Sequence, residues 1–435
     1  MGEPGALSPK QLEENFCKDI HPPLNLNQAS IEASRCYFCY DAPCIKACPT
    51  EINIPSFIRK ISTGNLKGAA IDILSENIFG GACARVCPVE TLCEEGCVRN
   101  TAEDKPVAIG LLQRHATDWL FEKKIQPFER KNLKQKRIAV VGAGPAGLSC
   151  AHRLAVLGYD VIVFEAKKKL GGLNEYGLAP YKMVNDFAQK EIAFILEVGG
   201  IKVELEKEFG RDFSMAELRK EFEAVFLGVG LSGVNALKLE SENMPGVLNA
   251  VDFISDLRQT KNLSAVALGK RVVVIGGGST AIDIAVESKR LGASSVTLVY
   301  RRGFSEMKAT SVEIEFAQNN GVLIETWARA KKLIGNSKGI SSVEFERTQS
   351  GSSEIFTLPC DTLFKAIGQI LIPEKLGDVK EFLEITNGRI LVNDERRTTL
   401  KNVFAGGDCV NGGKLTVVSV QDGKVAAEAI HKELS

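Results

Sequence analysis

Eight of the twelve cysteines lie within one stretch of 62 residues, a density of thiolates that calls for a soft metal partner. The first block reads Cys36-Tyr-Phe-Cys39-Tyr-Asp-Ala-Pro-Cys44-Ile-Lys-Ala-Cys48-Pro49; the second reads Cys83-Ala-Arg-Val-Cys87-Pro88, followed by Cys93 and Cys97. Two of the eight are followed directly by proline, as in the iron–sulfur run C-x2-C-x2-C-x3-C-P, with a wider x4 gap here. Structural zinc usually pairs C-x2-C with a second such pair or with histidines, and none of the four histidines lies between the blocks. Disulfides would imply a secreted chain, whereas Met1 to Asn25 is polar with no apolar signal core. The expected chemistry is one-electron transfer through iron–sulfur clusters.

Further along, glycines supply a second kind of chemistry. Ile138-Ala-Val-Val141 reads as a buried strand, and Gly142-Ala143-Gly144-Pro145-Ala146-Gly147 opens a helix to about Leu157. A strand from Asp160 to Phe164 follows, leading to Glu165. In this order Gly142 permits a tight turn, Gly144 lets the backbone approach a pyrophosphate, and Gly147 permits close helix–strand packing. The helix N-terminus offers free N–H groups to the phosphates, and Glu165 would accept from a ribose hydroxyl. About 134 residues later the order recurs: Arg271 to Ile275, then Gly276-Gly-Gly278-Ser279-Thr280-Ala281, a helix to Leu291 and a strand from Val296 to Tyr300. Here the strand leads to Tyr300-Arg301-Arg302 in place of an acid. A carboxylate would repel a 2′-phosphate and arginines can grip one, so the first site is expected to hold FAD and the second NADPH. The alternative for the arginines is a solvated strand end.

Near the C-terminus, Phe364-Lys-Ala-Ile-Gly368 precedes Asn402-Val-Phe-Ala-Gly406-Gly407-Asp408, which has the form of a flavoprotein G-D motif. Asp408 could contact the ribityl chain, and a helix from Thr416 to Leu434 could turn its N-terminus to the flavin ring. Cys17, Cys150, Cys360 and Cys409 lack a partner at redox spacing, and His115 and His152 stand alone.

These motifs need scaffolds. Residues 1–130 read as a helical domain, with apolar residues at helical spacing in Ile54–Ile61, Leu66–Leu74 and Pro106–Leu120. The charged run Glu122–Arg137 suits a linker. The expected fold class is an α/β flavoprotein with two dinucleotide-binding domains (tandem Rossmann-like folds) preceded by a helical iron–sulfur domain. The FAD domain would take 131–245 and 366–435, and an NADP domain, 246–365, would be inserted in it. At 435 residues and 44% hydrophobic composition several cores are possible, and Lys+Arg equals Asp+Glu at 54 each. No charge excess favours nucleic acid or a membrane surface, and no apolar run reaches a span. A cytoplasmic chain is expected.

Together the order resembles the NAD(P)H-oxidising half of dihydropyrimidine dehydrogenase, especially its separate small subunit in bacteria. The likeness runs from about Ala33 to the C-terminus and is most specific in Cys39-Tyr-Asp-Ala-Pro-Cys44, Cys48-Pro, Gly68-Ala-Ala, Cys83-Ala-Arg-Val-Cys87-Pro and Leu92-Cys93. The related small subunit of glutamate synthase, or a ferredoxin–NADP oxidoreductase of similar build, stays open, as does a non-catalytic cluster-bearing adaptor. The resemblance implies two interleaved 4Fe-4S clusters, one on Cys36, Cys39, Cys44 and Cys97. The other would take Cys48, Cys87 and Cys93 with Gln113, leaving Cys83 as a spare. It further implies NADPH contacts at Arg301, Arg302 and Lys308, and flavin contacts near Gly172, Leu173 and Lys182. Lys182 stands where the family usually has an arginine. The implied partner is an FMN-binding, pyrimidine-reducing subunit.

Overall fold

The structure is a computed structural model, and it describes residues 9–349, 351 and 354–435. The chain divides into two compact units. The larger comprises His21–Glu175, Asn185–Gly233 and Ile370–Ser435; the smaller comprises Tyr176–Val184 and Val234–Gln369 with the chain up to Ile20.

The larger unit begins with short helices, each with a local start signal. Asn25 and Gln28 form a reciprocal capping box on the helix Leu26–Ser34. The Asn53 side chain accepts from Ser56 N on the helix Ile54–Ser62, and Asn65 accepts from Gly68 N on Leu66–Glu76. Ile54, Phe57, Ile58 and Ile61 form one buried face, the expected helical spacing realised. A longer helix, Ile109–Glu122, packs against Gly80–Val86 and Leu66–Glu76. Cys44 and Cys83 lie on the short helices Pro43–Ala47 and Gly80–Val86, and the other clustered cysteines sit at helix ends and in the connections between helices.

A five-stranded parallel sheet follows, in the order Val403–Ala405, Ala224–Leu227, Arg137–Val141, Asp160–Glu165, Ile201–Leu205. Past the exposed Arg137, the strands Arg137–Val141 and Ala224–Leu227 are apolar and buried, the pattern of a parallel sheet covered on both faces. The strand Val403–Ala405 reaches the sheet from the far end of the sequence, and the helix after it, Thr416–Leu434, lies along Pro145–Val156. These helices meet at backbone distance, since a Cβ at Gly423 would run into the Ala146 carbonyl.

The smaller unit has its own parallel sheet, ordered Val247–Asn249, Thr362–Ala366, Arg271–Gly276, Ser295–Val299, Leu323–Glu325. An antiparallel sheet of Ala328–Asn336, Gly339–Arg347 and Ile355–Pro359 adjoins it in sequence. Its core gathers around the helix Ser279–Arg290 and includes the fully buried Tyr181 from the segment Tyr176–Val184. Among the described residues no helix is long and apolar enough to cross a membrane.

One buried group in this core predicts a pH effect. Glu287 is fully buried and, among the described residues, neither carboxylate oxygen has a hydrogen-bond partner; burial raises its pKa well above the ordinary 4.5. The folded form therefore holds a proton that the unfolded form releases above about pH 4.5. Stability falls as pH rises from there toward the folded pKa, at up to about 1.4 kcal/mol per pH unit. Glu287→Gln is expected to flatten that slope and to raise the thermal midpoint at pH 8 relative to wild type. Parallel melting curves for the two proteins between pH 5 and pH 8 check it.

Candidate functional site

The eight clustered cysteines resolve into two groups, both in the larger unit. Cys36, Cys39, Cys44 and Cys97 line one apolar cavity with Ala42, Pro43, Ile54, Ile58 and Val107. Burial, together with Cys97 and Cys36, pushes the Cys44 thiol up to about 12. Cys36 is raised by burial and by Cys39 and Cys97. In the second group Cys87 is raised by a hydrogen bond with Cys83, by burial, and by the charges of Cys83, Cys93 and Cys48. Cys93 is raised by burial, Glu94, Cys48 and Cys44.

Such crowding is unfavourable for bare thiolates and favourable once bound iron supplies positive charge. Among the described residues no three His, Cys, Asp or Glu side chains are arranged to hold a single metal ion. A four-iron cluster takes one thiolate per iron, so its ligands stand apart around a cage and do not converge on a point. The donor set and the apolar cavity thus fit a cluster in the first group. In the second, Cys83 is drawn to the side of Cys87, while the buried Gln113 donates from Nε2 to the Gly80 carbonyl at 2.7 Å.

Two carboxylates that the sequence did not single out hold the second group's scaffold. Glu191 is fully buried; its Oε1 accepts from Gly81 N at 2.9 Å and Ala82 N at 3.0 Å, at the start of the helix Gly80–Val86. Burial raises Glu191 to about 8. Glu94 accepts from Gly110 N at 3.0 Å, at the start of the helix that carries Gln113, and burial raises it to about 7. Glu94 adjoins Cys93, a signal the sequence offered; Glu191, far off in sequence, offered none.

The first glycine turn is also in the larger unit. Gly142 has φ +96°, and a Cβ there would strike the Gly228 carbonyl at the end of the neighbouring strand. Gly144 and Gly172 face each other as bare backbone: a Cβ on Gly172 would lie 2.8 Å from the Gly144 Cα. The Gly171 N–H donates to the Ala143 carbonyl at 2.8 Å, and Gly407 abuts Ala146. The turn, Gly171–Leu173 and Gly407–Asp408 thus meet around a cradle that side chains would fill, as a pyrophosphate site requires. Glu165 ends its strand as expected, but Oε2 accepts from Ala143 N and Oε1 from Lys167 N, each at 2.8 Å. The carboxylate braces the turn, so a ribose hydroxyl would share it with these amides.

Asp408 is largely buried, which raises its pKa to about 6, and Ser419 Oγ donates to it at 3.4 Å. The Gly407 turn is held by Asp422, whose Oδ2 accepts from Gly407 N at 2.9 Å and Asn411 Nδ2 at 3.1 Å. Thr416, the first residue of the last helix, donates from Oγ1 to Asn174 Oδ1 at 3.0 Å, next to Leu173.

In the smaller unit, the second turn is built alike, with Gly276 against the Ala366 carbonyl and Ala281 beside it. The Tyr300 ring packs against Gly277, and Lys308 N donates to the Gly277 carbonyl at 2.8 Å. Arg301, Arg302 and Lys308 all have exposed side chains, and Gly368 is braced by Asn235. Lys182 belongs with this unit. Its ammonium lies in this unit, 2.8 Å from Asp283 Oδ1 and 2.9 Å from Glu313 Oε1, so its charge is committed to carboxylates.

Parallel sheets with glycine turns, behind a helical domain with two cysteine groups, define a pyridine-nucleotide flavoprotein with an iron–sulfur domain. Residues 136–423 match the family described as pyridine nucleotide-disulphide oxidoreductase, and residues 12–125 match dihydropyrimidine dehydrogenase domain II, 4Fe-4S cluster. The NAD-dependent dihydropyrimidine dehydrogenase subunit PreT of Salmonella typhimurium is 35% identical over 97% of this chain and 98% of its own length. The Escherichia coli K12 subunit of that name is 34% identical over the same shares. The chain therefore belongs to the family of dihydropyrimidine dehydrogenase PreT subunits and is a flavin and iron–sulfur oxidoreductase of that type. Among solved structures, thioredoxin reductase from T. acidophilum superposes with a TM-score of 0.55 at 18% identity, over 69% of this chain and 99% of that one, a likeness of fold.

Proposed function

We propose that the chain is the electron-input subunit of a cytoplasmic dihydropyrimidine dehydrogenase whose FMN-binding partner reduces uracil or thymine. When bound, FAD would take hydride from NADPH and two 4Fe-4S clusters would carry single electrons onward, the protein supplying binding and orientation. The Gly142–Gly147 turn, Gly172, Leu173 and Gly407–Asp408 would hold the FAD, and the Gly276–Ala281 turn with Arg301, Arg302 and Lys308 the nicotinamide nucleotide. Cys36, Cys39, Cys44 and Cys97 would ligate one cluster. Cys48, Cys87 and Cys93 would ligate the other with Gln113, Cys83 standing by as the thiol that could replace it.

The observation that carries this reading is the presence of both cysteine groups in one compact unit with the FAD-type turn. The relatives are named subunits, which supports a partner chain. They are also named NAD-dependent; the choice of NADPH here rests on Arg301 and Arg302 at the strand end where an acid would otherwise stand.

The pure, cofactor-loaded chain is expected to reduce an artificial acceptor such as ferricyanide with NADPH and to leave uracil untouched, which an anaerobic assay with both acceptors measures. Uracil turnover by the chain alone would refute the division of labour. An anaerobic pull-down from the native cells should return an FMN-binding partner, and a large amidotransferase-type partner would overturn the pyrimidine assignment.

A further inference from the structure

The helix Ser279–Arg290 follows the second glycine turn, and its N-terminus is the positive end that would receive a pyrophosphate. Two carboxylates lie against that end. Glu313 Oε2 accepts from Ser279 Oγ at 3.0 Å, on the helix's exposed first residue, and from Thr310 N at 3.2 Å. Asp283, one turn further in and 3% exposed, accepts from the Tyr181 hydroxyl at 2.8 Å. A phosphate arriving at Ser279 competes with Glu313 for the serine hydroxyl and meets the field of both acids, poorly screened because Asp283 is away from water. The Lys182 ammonium, 11% exposed, bridges the two acids at 2.8 and 2.9 Å. Two carboxylates and one ammonium leave a net −1 where the acids alone would leave −2.

We propose that Lys182 is a positioning residue of the nicotinamide-nucleotide site, offsetting the carboxylates beneath the second glycine turn so that the turn accepts a pyrophosphate. The proposal rests on the reading of that turn as the nicotinamide-nucleotide site. It gives the segment Tyr176–Val184 a role in nucleotide affinity.

The test uses the full cofactor-loaded chain and the variants Lys182→Met, Lys182→Arg, Glu313→Gln and the Lys182→Met/Glu313→Gln pair. Lys182→Met should raise KM for NADPH about tenfold with kcat within about twofold, because binding is lost and the reacting centre is untouched. Lys182→Arg should stay near wild type, and adding Glu313→Gln should recover most of the loss. In competition experiments Lys182→Met should weaken ADP, which carries the diphosphate, and leave adenosine unchanged. A merely structural lysine would weaken both alike, and that result, or an unchanged KM, overturns the proposal. Should Lys182→Met fail to fold, Glu313→Gln alone decides: tighter ADP binding supports the proposal and unchanged or weaker binding overturns it. A wild-type chain that binds neither NADPH nor NADH would sink the reading of the turn itself, whereas normal wild-type binding with an indifferent Lys182→Met would sink only the role of the lysine.

Discussion

Cys44→Ser is expected to cost the loaded protein about half of its iron and acid-labile sulfide and to reduce electron delivery to the partner by ~100-fold or more, while NADPH still bleaches the flavin. Cys44 lies in the apolar cavity with Cys36, Cys39 and Cys97, and among the described residues no further cysteine lines that cavity to take its place. A serine hydroxyl is a harder donor with a far higher pKa than a thiol and ligates iron–sulfur clusters poorly. The second group behaves differently because Cys83 lies beside Cys87. Cys87→Ser is therefore expected to lose less iron than Cys44→Ser, and combining it with Cys83→Ser should remove the difference. Iron and sulfide analysis, flavin bleaching under anaerobic NADPH and partner-dependent turnover separate the two groups. A Cys44→Ser protein with full iron content and normal delivery would sink the assignment of the cavity.

What could be read from the residues alone follows how local the controlling physics is. The glycine turns were legible because each rests on a strand, three small residues and a helix start within about a dozen positions. The structure differs from those expectations by no more than two residues at the ends of Arg137–Val141, Pro145–Val156 and Ser295–Val299. The partition of the cysteines was not legible from spacing, since Cys44 and Cys97 share a cavity across more than fifty residues. Long-range packing also hid Glu191, an ordinary acid on an amphipathic helix until Gly81 and Ala82 present their amides to it. The surroundings of Lys182 are equally non-local, since its place in the chain leaves the direction of its ammonium open. Its neighbour Tyr181 buries completely in the core around Ser279–Arg290 and brings the ammonium to Asp283. The first strand of the antiparallel sheet, Ala328–Asn336, is hard to read from its residues because charges at Arg329, Lys331 and Lys332 interrupt its alternation.

The pair Arg301→Ala/Arg302→Ala is expected to lower kcat/KM for NADPH relative to NADH by ~100-fold, with the value for NADH nearly unchanged. A charge-assisted hydrogen bond to a phosphate contributes ~1.5–3 kcal/mol, so losing two such donors exceeds a factor of ten even if only part of each is realised. Arg302 is available for the role: its 3.6 Å pairing with Glu306 joins side chains 44% and 39% exposed, a contact weak in water. Lys308 is held by its backbone to Gly277, with its side chain exposed near Gly278. The strand end cannot copy the first site, where Glu165 reaches back to the Ala143 amide, because the Tyr300 ring already fills the space against Gly277. With the acid replaced by a ring, the selectivity falls to the cations. Steady-state rates with both nucleotides decide: a wild-type chain that prefers NADH, with a double variant that shifts neither value, would return Arg301 and Arg302 to the solvated strand end and align the chain with its NAD-dependent relatives.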